Sequence, residues 1–520
     1  MKINLFSIAF LMCLSVFAQK KAPNILFIMS DDHSAETIGI YASTLKDYVQ
    51  TPNLDRLAKE GATFNNVQCT NSLCAPSRAT IITGKYSHKS GVYTLREDLN
   101  TIDMPTVPKI LQTKGYQTAV IGKWHVHGDN MHGFDHYAVT KSQGSYWNPS
   151  LGTKSGEKLR KEGYVTDVYT DHSIDWLEQR DKEKPFFLMT HYKAAHGPWE
   201  YAKRHADLYK DVTIPEPETL YDDYANRDEN GVGTFQSRIH KSDDDKMSLS
   251  FWFQHGKKGA SGTWPTGNID LTGLNAKEKT AAAYQKYIKD YLRVVKGIDE
   301  GVGRLLDYLE EQGELDNTII MYTSDQGMYI GEHGFFDKRL GLNEAVKMPL
   351  IIRYPKTIKA GTQVDELINN VDYAETFIEM ANAEIPEEMQ GYSFWDLVQG
   401  KNKKEWPREQ SFYGFYSNGI PKHYGLITKE YKLLKYIGKD GNLLGMDFFD
   451  RINDKNEMES QVSNPEYASA LKEMELKLAQ ELEAINMEEN LLPGNLPVKV
   501  NKTKKKDKTK KKNKNKKANH

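Results

Sequence analysis

The chain has 520 residues, 39% of them hydrophobic and 27% charged. That is the balance of a globular protein large enough for a substantial core and more than one subdomain. The formal charge is −2 and there are three cysteines. So few cysteines exclude a disulfide-framework protein, and after the N-terminal segment no stretch reaches the roughly 18 consecutive apolar residues of a membrane span.

The chain opens with "MKINLFSIAFLMCLSVFAQKK". Lys2 is a charged start, Leu5 to Phe17 an apolar centre, and Val16 and Ala18 fit the small-residue cleavage rule. A signal peptide over 1–18 is predicted, with export to the periplasm or the outside. Cys13 would suit lipid attachment, but Met12 stands where a small residue is needed, so ordinary cleavage is expected.

Short apolar runs at Ile25–Met29, Thr118–Ile121, Phe186–Thr190 and Thr318–Thr323 read as buried strands of a parallel sheet. Between the first two, "TPNLDRLAKEG" has a helix start at Thr51 and Pro52 and a stop at Gly61. Further on, Tyr287, Tyr291, Val294, Val295, Ile298, Val302 and Leu305 keep the spacing of one helix face. The alternation predicts an α/β layered domain over 19–400. Residues 211–272, polar and rich in aromatics, read as an insertion over the sheet edge. After residue 400, "SFYGFYS", "YGLITKEYKLLKY" and "GMDFFD" read as antiparallel strands. The amphipathic "NPEYASALKEMELKLAQELEAI" completes a smaller subdomain over 401–490. Residues 491–520 read as a disordered tail. Its last 23 residues hold twelve lysines and one aspartate, a charge of +11, so the rest of the chain carries −13. A solvated tail is favoured over one drawn to an acidic polymer, and no nucleic-acid partner is expected.

Unusual polar groups stand just after the predicted strands. Ser30, Asp31, Asp32 and His33 follow the first. Lys123, Trp124 and His125 follow the second, His191, Lys193 and His196 the third, and Asp325 and Gln326 the fourth. In an open α/β sheet the carboxyl ends of parallel strands share one edge, where ligands bind. Asp31, Asp32 and Asp325 would repel one another unless a cation joined them. With the Gln326 amide oxygen the donors are all oxygen, which suits Ca²⁺, or less well Mg²⁺, rather than zinc. Singly, each cluster also reads as a helix cap or a turn. Lys123 and Lys338 are candidate clamps for an anion. His125 and His196 are candidate acid–base groups, although His127, His132 and His136 crowd the choice of His125.

"SLCAPSRATIITG", Ser72 to Gly84, reads as a helix with Pro76 in its first turn and Gly84 as its stop. Cys74 then stands at a helix N-terminus, which favours a thiolate and equally an anionic substrate. A thiolate is nevertheless a poor ligand for a hard cation. A Cys69–Cys74 bridge is the plainer alternative.

This stretch resembles the signature of the type I sulfatases, in which the cysteine is oxidised to Cα-formylglycine. A second family signature is matched by "GYQTAVIGKWH", Gly115 to His125. The likeness continues in "NILFIMSDDH", "TPNLDRLAKEG", "HYKAAHGPW", "YTSDQGMYIGEHGFFDKR" and "PLIIRYP". It implies the alkaline-phosphatase-like fold, a mostly parallel sheet flanked by helices with a smaller C-terminal antiparallel sheet. It also implies roles. Residue 74, as formylglycine, is the nucleophile, and Asp31, Asp32, Asp325, Gln326 and residue 74 hold Ca²⁺. Arg78 supports residue 74, Lys123 and Lys338 contact the sulfate, His125 acts on the gem-diol, and His196 is the proton donor to the leaving group. Gln326 departs from the commoner Asn or His but keeps an amide oxygen. The implied partners are a sulfated carbohydrate and a formylglycine-generating or anaerobic sulfatase-maturing enzyme. The wording resembles the branch of N-acetylglucosamine-6-sulfatases and bacterial polysaccharide sulfatases. Trp147, Asn148, Trp199 and His333 are placed at the pocket rim. The alternatives are a phosphonate or phosphate monoester hydrolase of the same superfamily, and a non-catalytic glycan-binding protein with unmodified Cys74.

Overall fold

The computed structural model describes residues 22–128, 130–140, 142–239, 271–401 and 403–496. The predicted signal peptide, most of the lysine-rich tail and the second half of the 211–272 insertion lie outside them.

Ten strands form the central sheet: β1 (Asn24–Asp31), β2 (Ala62–Phe64), β3 (Gln117–Lys123), β4 (His136–Thr140), β5 (Ser150–Thr153), β6 (Lys158–Arg160), β7 (Phe186–Ala195), β8 (Thr318–Ser324), β9 (Leu350–Arg353) and β10 (Thr362–Val364). Their spatial order is β10-β2-β9-β8-β1-β7-β3-β4-β5-β6. The run β8-β1-β7-β3-β4 is parallel throughout, so the carboxyl ends of these strands share one edge. Antiparallel partners flank it on both sides.

The main helices are α1 (Pro52–Glu60), α2 (Cys74–Thr83), α3 (Val165–Gln179), α4 (Ala276–Glu311), α5 (Tyr373–Met380) and α6 (Ala468–Ala484). All eight residues of β1 are buried because helices cover both faces. Alternation divides them: Ile25, Phe27 and Met29 pack with Ala79 and Ile82 of α2 and Phe377 of α5. Leu26 and Ile28 pack with Leu54 of α1, Val168 of α3 and Ile298 of α4. The long helix α4 starts with a capping box between Asn275 and Glu278. All seven residues of its predicted face are buried.

Strands β11 (Ser411–Phe415), β12 (Lys422–Ile427), β13 (Tyr431–Ile437) and β14 (Leu443–Asp450) form an antiparallel meander. Met474 and Leu478 of α6 cover it, and Tyr86 and Val371 of the larger part enter the same apolar cluster. The first residues of the expected tail are ordered, in departure from the sequence reading. Asn495 donates to the Glu489 carbonyl at 2.8 Å, and Gly494 lies against Ile437.

Glu375 of α5 is a buried carboxyl between Gly84 and Gly391. Its Oε1 accepts from the Gly391 N–H at 2.7 Å, and its Oε2 has no hydrogen-bond partner among the described residues. Burial pushes it up to about 8 from an ordinary 4.5. The folded state therefore holds this proton over a pH range in which the unfolded chain has lost it. Stability then falls as pH rises from about 4.5 to about 8. Glu375→Gln is expected to flatten that dependence and to melt higher than the parent at pH 8. Parallel slopes in melting curves taken across this range would contradict the assignment.

Candidate active site

Helix α2 begins at Cys74 after the extended Leu73, and Gly84, at φ 61°, ends it in the left-handed conformation. Pro76 is its third residue, within the predicted first turn. One turn on, Ser77 and Arg78 tie the helix to two strand ends. Ser77 donates to the Asp325 carbonyl. Arg78 donates from Nε to Asp325 Oδ2 at 2.9 Å and from Nη1 to the Lys123 carbonyl at 2.5 Å. The guanidinium is fully desolvated, so these contacts fix the end of β3 and the residue after β8 relative to residue 74.

Cys69 and Cys74 are both free thiols, so the bridge considered from sequence is not made. Cys74 is buried, with Sγ 3.3 Å from Asp31 Oδ1. Burial, and then the Asp31 carboxylate, push its thiol well above the ordinary cysteine value. A thiolate is therefore disfavoured here: the neighbours oppose the charge that the dipole would favour.

Asp31 ends β1, and Asp32 follows at φ 58°. The hydroxyl of Tyr291, from α4, holds that turn by donating to the Asp32 carbonyl and accepting from the Ser34 N–H. Oxygens of Asp31, Asp32 and Asp325 lie within 4.8 Å of one another, all buried. Burial, opposed by Lys338, raises Asp32, and burial followed by Asp31 pushes Asp325 up to about 7. Asp31 goes the other way: burial opposes its charge, but the charges around it, Lys123 foremost and then Arg78, outweigh it. Gln326 donates from Nε2 to Asp32, while its Oε1 is buried with no hydrogen-bond partner among the described residues. Three crowded carboxylates and an orphaned amide oxygen fit a hard divalent cation.

Lys123 ends β3 and donates to Asp31 and, at 2.6 Å, to Gln143 Oε1. Its Nζ stands 4.0 Å from Cys74 Sγ. Lys338 donates to Asp32. Asp32 leads the charges that lift Lys338 above the ordinary lysine range against the cost of burial. His196 has Nδ1 2.8 Å from the Gly197 carbonyl, so Nδ1 carries a proton, and Nε2 faces Asp32 Oδ2 at 3.7 Å. Burial, then Lys123 and Lys338, hold its ring well below the ordinary histidine range. His125, at φ 56°, is pushed down to about 2 by burial and then by Lys123. Both rings are neutral in this arrangement.

The structure thus brings Asp31, Asp32, Cys74, Arg78, Lys123, His125, His196, Asp325, Gln326 and Lys338 to one sheet edge. Several of the polar groups form the last residues of the strands rather than following them. Lys123 and Lys193 are in-strand, and the β1–β7 register shifts between Met29 and Asp31. Gln143 is a partner that sequence reasoning missed, since a glutamine in a polar loop carries no signal. Lys193 is another. It is buried, its Nζ stands 4.9 Å over the Tyr146 ring, and burial followed by Lys123 lowers it to about 8.

Two rim assignments are corrected. Trp199 is 1% exposed and packs on Tyr287 at 4.7 Å, and His333 is 0% exposed with Nδ1 2.8 Å from Asp222. Both are interior because α4 and the Asp222 segment cover them. Trp147 is half-buried with Lys203 over its ring, and Asn148 is exposed.

The sulfatase family matches residues 23–383, and the C-terminal family of N-sulphoglucosamine sulphohydrolase matches residues 331–484. An N-acetylglucosamine-6-O-sulfatase of Bacteroides thetaiotaomicron is 38% identical over 486 residues, covering 88% of this chain and 85% of that one. Human N-acetylglucosamine-6-sulfatase is 29% identical over 424 residues, covering 76% and 68%. A protein solved in complex with its substrate, D-glucosamine-2-N,6-O-disulfate, superposes with a TM-score of 0.79 at 36% identity, covering 90% of this chain and 98% of that one. Among the described residues no helix is long and apolar enough to cross a membrane. With the family matched over most of its length and the strand-end cluster built as described, the chain belongs to the sulfatase family and is a sulfuric ester hydrolase.

Proposed function

We propose that this sulfatase removes 6-O-sulfate from N-substituted glucosamine units of a sulfated glycosaminoglycan. The observation that supports the sugar is the likeness, at 36% identity over nine-tenths of the chain, to a protein holding D-glucosamine-2-N,6-O-disulfate. In this reading residues 1–18 direct export, residues 19–400 carry the chemistry, and the protein works in the periplasm or outside the cell.

Asp31, Asp32, Asp325 and Gln326 would hold Ca²⁺, together with residue 74 as Cα-formylglycine. The hydrated aldehyde supplies one hydroxyl as nucleophile and a second whose deprotonation releases sulfate, while the cation supplies Lewis acidity toward sulfate oxygen. Lys123 and Lys338 bind the sulfate oxygens and stabilise charge developing on them. Arg78 keeps Asp325 and the Lys123 carbonyl fixed while this happens. His125 is neutral, and an anionic ester beside Lys123 offsets the charge that depresses it, so that substrate raises its affinity for the proton it must take. His196 must deliver one from Nε2. The two lysines that depress it are offset when an anionic ester binds between them, so substrate raises the proton affinity of the ring that serves it.

Defined 6-O-, 2-O-, 3-O- and 4-O-sulfated oligosaccharides, assayed for released sulfate, test the sugar. Fastest release from 6-O-sulfated glucosamine is expected, and a preference for a sulfated uronate or galactosamine would overturn it. Nitrophenyl phosphate turned over faster than nitrophenyl sulfate would favour the phosphate-ester alternative. A peptide bearing residue 74 that is lighter than the thiol form by about 18 Da, as replacement of CH₂SH by CHO requires, would mark the aldehyde, an oxidation distinct from the usual cysteine ladder. An intact thiol in the native protein would favour the binding-protein alternative.

A further inference from the structure

Lys338 is delivered by an unusual piece of backbone. The short pair Tyr329–Ile330 and Phe336–Asp337 ends in the turn Asp337-Lys338-Arg339. Asp337 and Arg339 stand at φ 76° and 97°. Non-glycine residues keep such conformations only where their surroundings impose them. The C-terminal sheet supplies much of that surrounding. Tyr413 of β11 donates its hydroxyl proton to the Arg339 carbonyl at 2.7 Å. His423 of β12 accepts from the Gly341 N–H at Nε2, at 3.0 Å, while its Nδ1–H donates to the Pro421 carbonyl at 2.8 Å. Burial pushes His423 down to about 4, which keeps Nε2 an acceptor.

The same Tyr413 hydroxyl lies 2.6 Å from Ser72 Oγ, two residues before Cys74. The Arg339 carbonyl only accepts and takes the one phenolic proton, so Ser72 must donate to Tyr413. A relay of two bonds thus runs Ser72 Oγ–H to Tyr413 Oη–H to the Arg339 carbonyl, with Ser72 and Tyr413 fully buried. Beside it, the Gly414 N–H donates to the Thr70 carbonyl at 2.9 Å. One hydroxyl from the C-terminal subdomain therefore joins the approach to residue 74 with the turn that carries Lys338.

We infer that Tyr413 is a positioning residue, whose hydroxyl sets the separation of residue 74 and the Lys338 ammonium and so the grip on the anion between them. The identity of that anion as sulfate rests on the function proposed above.

Tyr413→Phe keeps the ring and removes only the relay. The loss in kcat/KM is expected to be about tenfold to a hundredfold, the scale set by displacing a binding group by a fraction of an ångström up to one. The affinity for inorganic sulfate, read by calorimetry and therefore without turnover, is expected to fall about tenfold. The melting temperature should stay within about 3 °C of the parent. Unchanged sulfate affinity and unchanged kcat/KM would overturn the inference, and so would losses accompanied by a proportionate collapse in melting temperature. Ser72→Ala tests the relay separately. The double variant should lose no more than Tyr413→Phe alone, and additive losses would mean two independent contacts. If the parent prefers a phosphate ester, the sulfate assignment fails. The same parent-to-variant ratios, read on that ester and on inorganic phosphate, still decide the role of Tyr413.

Discussion

Replacing Cys74 with alanine is expected to abolish turnover and leave the fold in place. Residue 74 is the first residue of α2, where alanine is at least as good a helix former, and it is buried against Asp31 rather than in an apolar layer. The cost to folding is that of a small side chain. At about 1 kcal/mol in a protein this large, it moves the melting temperature by about 2 °C or less. The cost to catalysis is of another order. A nucleophile and the groups that serve it act as a unit, and removing one such member costs about 10⁶-fold in kcat. Released sulfate and melting temperature, measured on one preparation of Cys74→Ala, check this. Substantial residual activity would remove residue 74 from the chemistry, and an unfolded variant would make it a structural residue.

The reason Cys74 must act as something other than a thiolate is a comparison of magnitudes. A helix N-terminus favours a negative charge by about 0.3–1 kcal/mol, and up to about 2 kcal/mol in favourable buried geometry. Taking an ion out of water costs several kcal/mol even after the protein relaxes. Cys74 faces that cost together with the repulsion of Asp31. The sequence places the helix start but not the burial, so a one-sided estimate favours the thiolate. The same gap explains Trp199 and His333. Their place in the quoted motifs is legible, but the packing of α4 and of Asp222 over them is not.

What was legible is what one stretch of chain carries by itself. The apolar runs of β1, β3, β7 and β8 announce buried parallel strands, and the polar residues at their ends mark the edge where the site lies. Ser77 and Arg78 belong to the same motif as Cys74, so their bracing of Asp325 and Lys123 arrives with it. Gln143, Tyr413 and His423 are different. Each meets the site through a long-range contact: Lys123 for Gln143, Ser72 and Arg339 for Tyr413, and Gly341 for His423. A glutamine in a loop or a tyrosine in an alternating strand has no local pattern that tells it from any other. The second layer of the site, which holds Lys338 in place, is therefore visible only once the C-terminal sheet is packed on the catalytic domain.

Removing the divalent cation is expected to silence the enzyme and to loosen the site without unfolding the chain. Asp31, Asp32 and Asp325 bring three carboxyl groups into a desolvated space, and Arg78, Lys123 and Lys338 pair with them. Lys123 pairs with Asp31 and Lys338 with Asp32. A sulfate ester would have to compete with Asp31 for Lys123 and with Asp32 for Lys338. A cation among the carboxylates would take over their neutralisation and leave both ammonium groups to the ester, and so would govern substrate affinity as well as reactivity. Dialysis against a calcium chelator should therefore abolish activity and weaken the binding of inorganic sulfate. Returning Ca²⁺ should restore both, and Mg²⁺ should restore them less well, because its strict octahedral geometry suits an irregular site poorly. Ligand linkage adds a readout independent of turnover: at a hundred times its dissociation constant the cation stabilises the fold by about 2.7 kcal/mol. The melting temperature should rise with Ca²⁺ concentration in the parent, and should rise less at the same concentration in Gln326→Ala, which lacks the amide oxygen. A metal-free preparation with full activity and an unshifted melting temperature would leave the three carboxylates as partners of the lysines and nothing more.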